Sequence, residues 1–231
     1  MTFSTTPFYR CHKSLNLYDS PTLERLATQA ARGRWLQVKQ PDLKAGSADR
    51  GVLVRLCEDG YPGWLAMEDL HHLQMADQPY RSVSLSEAEI QARIPTVIAF
   101  VQAAMATPNT YRWGGTIGPN YDCSGLMQAA FLAAGVWIPR DAYQQEAFAQ
   151  AIEPTQRLPG DLIFFGTPAR ATHVGLYLGN DAYLHSSGKD QGRNGIGSDR
   201  LDQTDDPISL AYQAQLRGTG RIVSVYQPGV W

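Results

Sequence analysis

Apolar and polar positions follow two rhythms along the chain, and the change falls near residue 80. Before it, short apolar runs are broken by Gly, Pro and Asp: 15-LNLYDSP-21, 34-RWLQVKQPD-42, 51-GVLVRLCEDG-60 and 61-YPGWLAMEDL-70. Short, closely spaced strands of this kind predict a small β-barrel or sandwich. The stretch 73-LQMADQPYRSVS-84 reads as a linker. Two domains are therefore expected, 1–80 and 81–231.

Beyond the linker the rhythm is helical. Ser86 and Glu89 have capping-box spacing, and Leu85 and Ile90 have staple spacing. Pro95 predicts a kink or a fresh helix start, after which Val97, Ile98, Val101 and Met105 recur at helical intervals. The chain turns at 108-PNTYRWGG-115. In 121-YDCSGLMQAAFLAAG-135 the apolar residues Leu126, Met127, Ala130, Phe131 and Ala134 share one face. Asp122 is a suitable N-cap and Gly135 a suitable C′ residue, so Cys123 falls in the first turn. After Pro159-Gly160-Asp161 the pattern becomes strand-like over 162–166, 172–179, 182–187 and 219–228, with Thr172, Val174, Leu176 and Leu178 on one face. Helices followed by antiparallel strands predict an α+β domain.

Charge and cysteine usage narrow the function classes. The chain has 231 residues, a net charge of −2 and a pI near 6.2, without the basic surplus of a nucleic-acid partner. Its apolar runs are too short for a membrane span. The opening MTFSTTPFYRCHKS lacks a basic segment followed by an apolar core, so no signal peptide is expected and the cytoplasm is the expected location. Cys11, Cys57 and Cys123 are an odd set; Cys11 and Cys57 could pair, but the missing export signal argues for reduced thiols, and the lack of a C-x-x-C pair argues against a structural zinc site.

Cys123 is the candidate for chemistry. A helix N-terminus and a nearby imidazole both favour a thiolate, while Asp122 opposes it. His173 and His185 lie on successive strand candidates joined by Gly179-Asn180-Asp181. A two-residue turn would put them on opposite faces. A three-residue loop pairing 178 with 182, and 175 with 185, would put them on one face, a diagonal step apart. The Gly-Asn-Asp sequence suits the longer loop. Gly175 would then leave room for an imidazole. A nucleophile, a base and a residue orienting the base follow from that arrangement. The bland alternatives are a buried Cys and structural His residues. Zinc binding by Cys123, His173, His185 and Asp122 is the metal alternative. The 113-WGG-115 turn serves either tight backbone packing or close approach of a ligand.

The segments 111-YRWGG-115, 122-DCSG-125, 139-PR-140, 159-PGDLIFF-165, 173-HVGLYLG-179 and 183-YLHSS-187 resemble, in order and spacing, the NlpC-type cysteine peptidases of bacterial cell-wall turnover. The N-terminal part, ending in 63-GWLAMEDL-70, resembles a bacterial SH3-like barrel. The resemblance implies an SH3-like β-barrel followed by a papain-like peptidase domain with an antiparallel sheet. It implies Cys123 as nucleophile, His173 as general base and His185 as the residue orienting it, with no metal or organic cofactor. The implied substrate is a murein peptide, L-Ala-γ-D-Glu-diamino acid, cut after D-Glu. For the free L-Ala ammonium the resemblance points to Asp122, Ser124 and Glu68, with the ammonium offsetting the charge of Asp122. Tyr111 falls near the nucleophile, and Arg140 and Asp141 border the cleft. The family pattern has Ser or Thr soon after Pro-Arg, where this chain has Asp141, Ala142 and Tyr143. A non-catalytic wall-binding or regulatory protein, or an amidase or acyltransferase on the same scaffold, are the competing readings.

Overall fold

The computed structural model describes residues 7–39, 50–203 and 205–229. Residues 1–6 of the N-terminal stretch and 40–42 of the second apolar run lie outside the described residues. The chain divides into two compact units, one running to Ser82 and taking in the segment from Gln227, the other spanning Val83–Tyr226. The boundary read from the sequence lies two residues earlier and left the final segment with the second unit. Arg55 explains the difference, since its Nη2 donates to the Gly229 carbonyl at 2.7 Å.

The described residues of the first unit form the antiparallel strands β1 (Phe8–Cys11), β2 (Leu15–Tyr18), β3 (Leu26–Ala30), β4 (Trp35–Val38), β5 (Gly51–Leu56), β6 (Pro62–Ala66) and β7 (Leu73–Met75). They form one seven-stranded sheet in the order β3-β2-β6-β5-β4-β1-β7. Alternate residues turn inward, and Leu15, Leu17, Leu36, Val54, Leu56 and Leu65 make the core. A buried ion group braces it: Arg34 Nε lies 3.2 Å from Glu58 Oε2, and Arg34 Nη2 lies 3.0 Å from Asp59 Oδ2. A 3₁₀ turn, Met67–His72, on which Glu68 is exposed, joins β6 to β7 of these SH3-like strands.

The second unit opens with α1 (Glu87–Ala106). Its capping box forms as expected: the Glu89 N–H donates to Ser86 Oγ, and the Ser86 N–H donates to Glu89 Oε2 at 2.8 Å. The helix continues through Pro95, so no fresh helix starts there. The proline ring is exposed, while Ile90 and Ile94 before it and Val97 and Val101 after it are buried in one core. Shared burial of both halves outweighs the single lost hydrogen bond. Next come α2 (Cys123–Ala133) and α3 (Ala142–Phe148). The strands β8 (Gln150–Ile152), β9 (Leu162–Gly166), β10 (Ala171–Gly179), β11 (Ala182–Ser187), β12 (Gly195–Arg200) and β13 (Leu216–Arg221) follow, with α4 (Pro207–Gln213) before β13.

These six strands form an antiparallel sheet in the order β12-β11-β10-β9-β13-β8. Its two faces are packed differently. Leu162, Phe164, Val174, Leu176 and Leu184 join α1 and α2 in the main core. Ile163, Phe165, Tyr177 and Tyr183 pack with Tyr212 of α4 on the other side. The odd-numbered face of β10, which carries His173, is therefore an aromatic layer rather than a solvated one. Among the described residues, no helix is long and apolar enough to cross a membrane.

Candidate active site

Cys123 is the first residue of α2, and Asp122 caps the helix by accepting the Gly125 N–H at 2.7 Å. The cap is seated deeply because Gly125 has no side chain: a Cβ there would lie 2.0 Å from the Gly115 carbonyl oxygen. The Asp122 N–H donates to that same carbonyl at 3.1 Å. The Trp-Gly-Gly turn thus serves tight backbone packing, and it holds the head of α2 in place.

Asp122 receives more than the cap. Arg140 Nη2 lies 2.6 Å from its Oδ2 and Arg140 Nη1 lies 3.1 Å from its Oδ1. The Gly114 N–H donates to Oδ2 at 2.9 Å and Ser124 Oγ to Oδ1 at 3.3 Å. Arg140 Nη1 also reaches Ser124 Oγ at 2.9 Å. Two of the expected roles change. Arg140, only 2% exposed, lies beneath the nucleophile and not on the cleft border. The charge of Asp122 is offset by Arg140, within the chain, so no substrate ammonium is needed to balance it. Asp141 heads α3, its N–H donating to Gln144 Oε1 at 3.1 Å. This capping role accounts for an acidic residue after Pro-Arg.

The thiol itself is buried. Burial, reinforced by the Asp122 carboxylate, pushes it up to about 12; main-chain hydrogen bonds from Val174 and Ser124 and the charge of Arg140 only partly offset this. A helix N-terminus was expected to favour the thiolate, but desolvation outweighs it. Burial also pushes the Tyr111 hydroxyl up, as do Cys123 and Asp122 beside it. Tyr111 therefore stands near the nucleophile as a neutral donor.

β10 and β11 bring the histidines together by a route the sequence did not suggest. Asn180 and Asp181 have φ of 49° and 58°, forming a two-residue turn. A bulge between Tyr177 and Gly179 adds the missing residue, so Gly179, not Leu178, pairs with Ala182. The pairs Tyr177–Tyr183 and Leu176–Leu184 restore the register that puts 175 opposite 185. His173 and His185 consequently share a face, with His173 Nε2 2.7 Å from His185 Nδ1. Gly175 makes the space, since a Cβ there would lie 2.9 Å from Tyr183 Cδ2 and 3.3 Å from His185 Cβ.

Burial and the adjacent His185 hold His173 well below the ordinary imidazole value. Burial also lowers His185, despite a hydrogen bond and opposite charge from Asp199. Burial thus favours the uncharged forms of the thiol and of both imidazoles. Both ring nitrogens of His185 are occupied by hydrogen bonds, so it has none to offer a metal. Among the described residues, no group of three or more His, Cys, Asp or Glu side chains is placed to hold a metal ion.

Three neighbours were not foreseen. His185 Nε2 lies 2.6 Å from Asp199 Oδ2, and Arg193 Nε lies 3.0 Å from the same oxygen. The Tyr212 ring stacks on His173 at 4.6 Å with a 31° tilt. The signal for Asp199 was an alternation, Gly195-Gly197-Asp199, on a strand without apolar rhythm.

The NlpC/P60 family matches residues 108–207 and the bacterial dipeptidyl-peptidase SH3 domain matches residues 17–70. The gamma-D-glutamyl-L-lysine dipeptidyl-peptidase of Bacillus subtilis (strain 168) is 28% identical over 214 residues, which cover 71% of this chain and 69% of that protein. The bifunctional muramidase/DL-endopeptidase CwlT of the same organism is 40% identical over 81 residues, 33% of this chain and 25% of that protein. The murein DD-endopeptidase MepS/murein LD-carboxypeptidase of Escherichia coli (strain K12) is 35% identical over 78 residues, 33% of this chain and 42% of that protein. The chain thus spans most of the first relative but less than half of the other two. The second unit is a cysteine peptidase of the NlpC/P60 family, preceded in the chain by a bacterial dipeptidyl-peptidase SH3 domain.

Proposed function

We propose that the enzyme hydrolyses the γ-D-glutamyl–diamino acid bond of peptidoglycan peptides that carry a free N-terminal L-Ala, releasing L-Ala–D-Glu. Cleavage of peptidoglycan peptides by a thiol nucleophile is the common ground of the family. The finer specificity is supported by one observation above others: similarity to the gamma-D-glutamyl-L-lysine dipeptidyl-peptidase runs through both units, not the catalytic one alone.

In this reading Cys123 Sγ attacks the D-Glu γ-carbonyl carbon as its proton passes to His173. The main-chain N–H of Cys123 and the hydroxyl of Tyr111 donate to the developing oxyanion. His173 then gives the proton to the departing diamino acid amine, leaving a thioester. Water, deprotonated by His173, attacks the thioester and frees the dipeptide and the thiol. The neutral resting pair suits this sequence, because charge develops only as the bond forms.

A free α-ammonium requires a carboxylate partner. By resemblance Asp122 and Ser124 are assigned to it, and Asp122 is already paired with Arg140. Incubation with L-Ala-γ-D-Glu-L-Lys, its diaminopimelate analogue and their N-acetylated forms, under reducing conditions, tests the whole reading. Mass spectrometry should find L-Ala–D-Glu from the free peptides and little from the acetylated ones. Equal cleavage of both forms would overturn the ammonium requirement, and no cleavage of either would overturn the substrate class. Similarity to MepS makes the DD-cross-linked peptide the informative control.

A further inference from the structure

Asp199 takes no part in the chemistry above, yet it stands at the end of the histidine pair. It is 3% exposed on β12, whose pairing with β11 sets Tyr183 opposite Asp199 and His185 opposite Gly197. Its Oδ2 faces His185 Nε2 at 2.6 Å and accepts from Arg193 Nε at 3.0 Å. Its Oδ1 accepts from Arg193 Nη2 and, at 3.5 Å, from Ser209 Oγ. Gly197 gives the guanidinium its place, because a Cβ there would lie 2.6 Å from Arg193 Nη1. Burial works against ionisation of Asp199, but the hydrogen bonds from His185 and Arg193 outweigh it and hold the carboxyl below its usual range.

An ionised carboxylate can only accept hydrogen bonds. His185 must therefore carry its proton on Nε2, and its Nδ1 is left as a lone pair. The group 2.7 Å from that lone pair is His173 Nε2, which must be the donor. His173 then has no proton on Nδ1. The direction of every proton along the row is fixed from its far end.

We propose that Asp199, clamped by Arg193, is a positioning residue that sets the tautomers of both histidines, so that His173 presents a bare Nδ1 to the Cys123 thiol. The assignment rests on Cys123 as nucleophile and His173 as base. Without the carboxylate, either proton placement is open to His185, and the reversed one puts a proton where the base needs a lone pair.

The test uses the whole chain with ¹⁵N-labelled histidine and long-range ¹H–¹⁵N spectra at neutral pH, assigned through His173→Gln and His185→Gln. In the wild-type protein both rings should be neutral and carry their proton on Nε2. In Asp199→Asn and Asp199→Ala, His173 should populate the Nδ1-protonated form. In the same variants kcat should fall roughly 10²–10³-fold with KM changed less than about twofold. A proton on Nδ1 of either ring in the wild type overturns the proposal, even if neither variant folds. Unchanged tautomers in both variants overturn it as well. The predicted tautomers in a wild-type protein that cleaves no murein peptide would support the positioning role and count against the substrate reading.

Discussion

Arg140 grips Asp122 from beneath the nucleophile with two hydrogen bonds, Nη2 to Oδ2 at 2.6 Å and Nη1 to Oδ1 at 3.1 Å. Both side chains are almost fully buried. The Arg140→Met variant would leave an unpaired carboxylate under the active site. Removing one partner of a buried pair costs about 3–5 kcal/mol. Urea denaturation should show a loss of that order. A loss below about 1 kcal/mol would mean that the pair behaves as an exposed one.

Two perturbed groups set the pH dependence of turnover. The base, His173, is held well below 6.5, and the thiol, Cys123, is pushed up to about 12. The neutral pair is intact between these limits. The plot of kcat should be flat from about pH 7 to at least pH 9 and fall on the acid side, while kcat/KM should also fall above about pH 8, where the free substrate's α-ammonium loses its proton. Alkylation of Cys123 by iodoacetamide should quicken steadily across that range, since thiolate is the reacting form. An alkylation rate already level at pH 7 would show a thiolate–imidazolium pair at rest.

The same histidines link stability to pH. Both have folded values below 6.5, so in acid the unfolded chain binds protons that the folded chain refuses. Stability must then fall as pH drops below about 6.5, by up to ~1.4 kcal/mol per pH unit for each histidine. The urea midpoint should be lower at pH 5.5 than at pH 7.5. His185→Gln should flatten the difference. A midpoint that held steady or rose in acid would contradict burial of neutral imidazoles.

Gly175 is the narrow point of the histidine layer. A methyl group there would lie 2.9 Å from the Tyr183 ring and 3.3 Å from His185 Cβ. The ring of Tyr183 is itself fully buried and has little room to move. Gly175→Ala should destabilise the protein by about 1–3 kcal/mol through overpacking. It should also lower kcat more than it changes KM, because His185 is displaced from His173. Unchanged stability and kcat would show that the layer yields freely.

The head of α2 was legible because its signals are local: the Asp122 cap and the apolar stripe from Leu126 to Phe131 lie within one short segment. His173 and His185 were legible as a pair, although the loop between them was misread. The bulge at Leu178 compensates for a shorter turn, and nothing in Gly-Asn-Asp distinguishes the two solutions. Continuation of the helix past Pro95 was not legible, because the cost of the proline is local while the burial that overrides it is tertiary. The pairing of Arg140 with Asp122 and that of Asp199 with His185 were hidden for a related reason. Each residue acts on a partner 14 or more residues away. Neither sits in a segment whose periodicity reveals which way its side chain points.

The central claim is that Cys123 forms a thioester with the D-Glu γ-carbonyl. Intact-protein mass spectrometry, on samples acid-quenched during turnover of L-Ala-γ-D-Glu-L-Lys, tests it directly. The adduct should have the mass of L-Ala–D-Glu less one water and should map to the peptide carrying Cys123. It should be absent from a folded Cys123→Ala protein, which should not turn over the substrate. Turnover by Cys123→Ala at the wild-type rate would contradict the account.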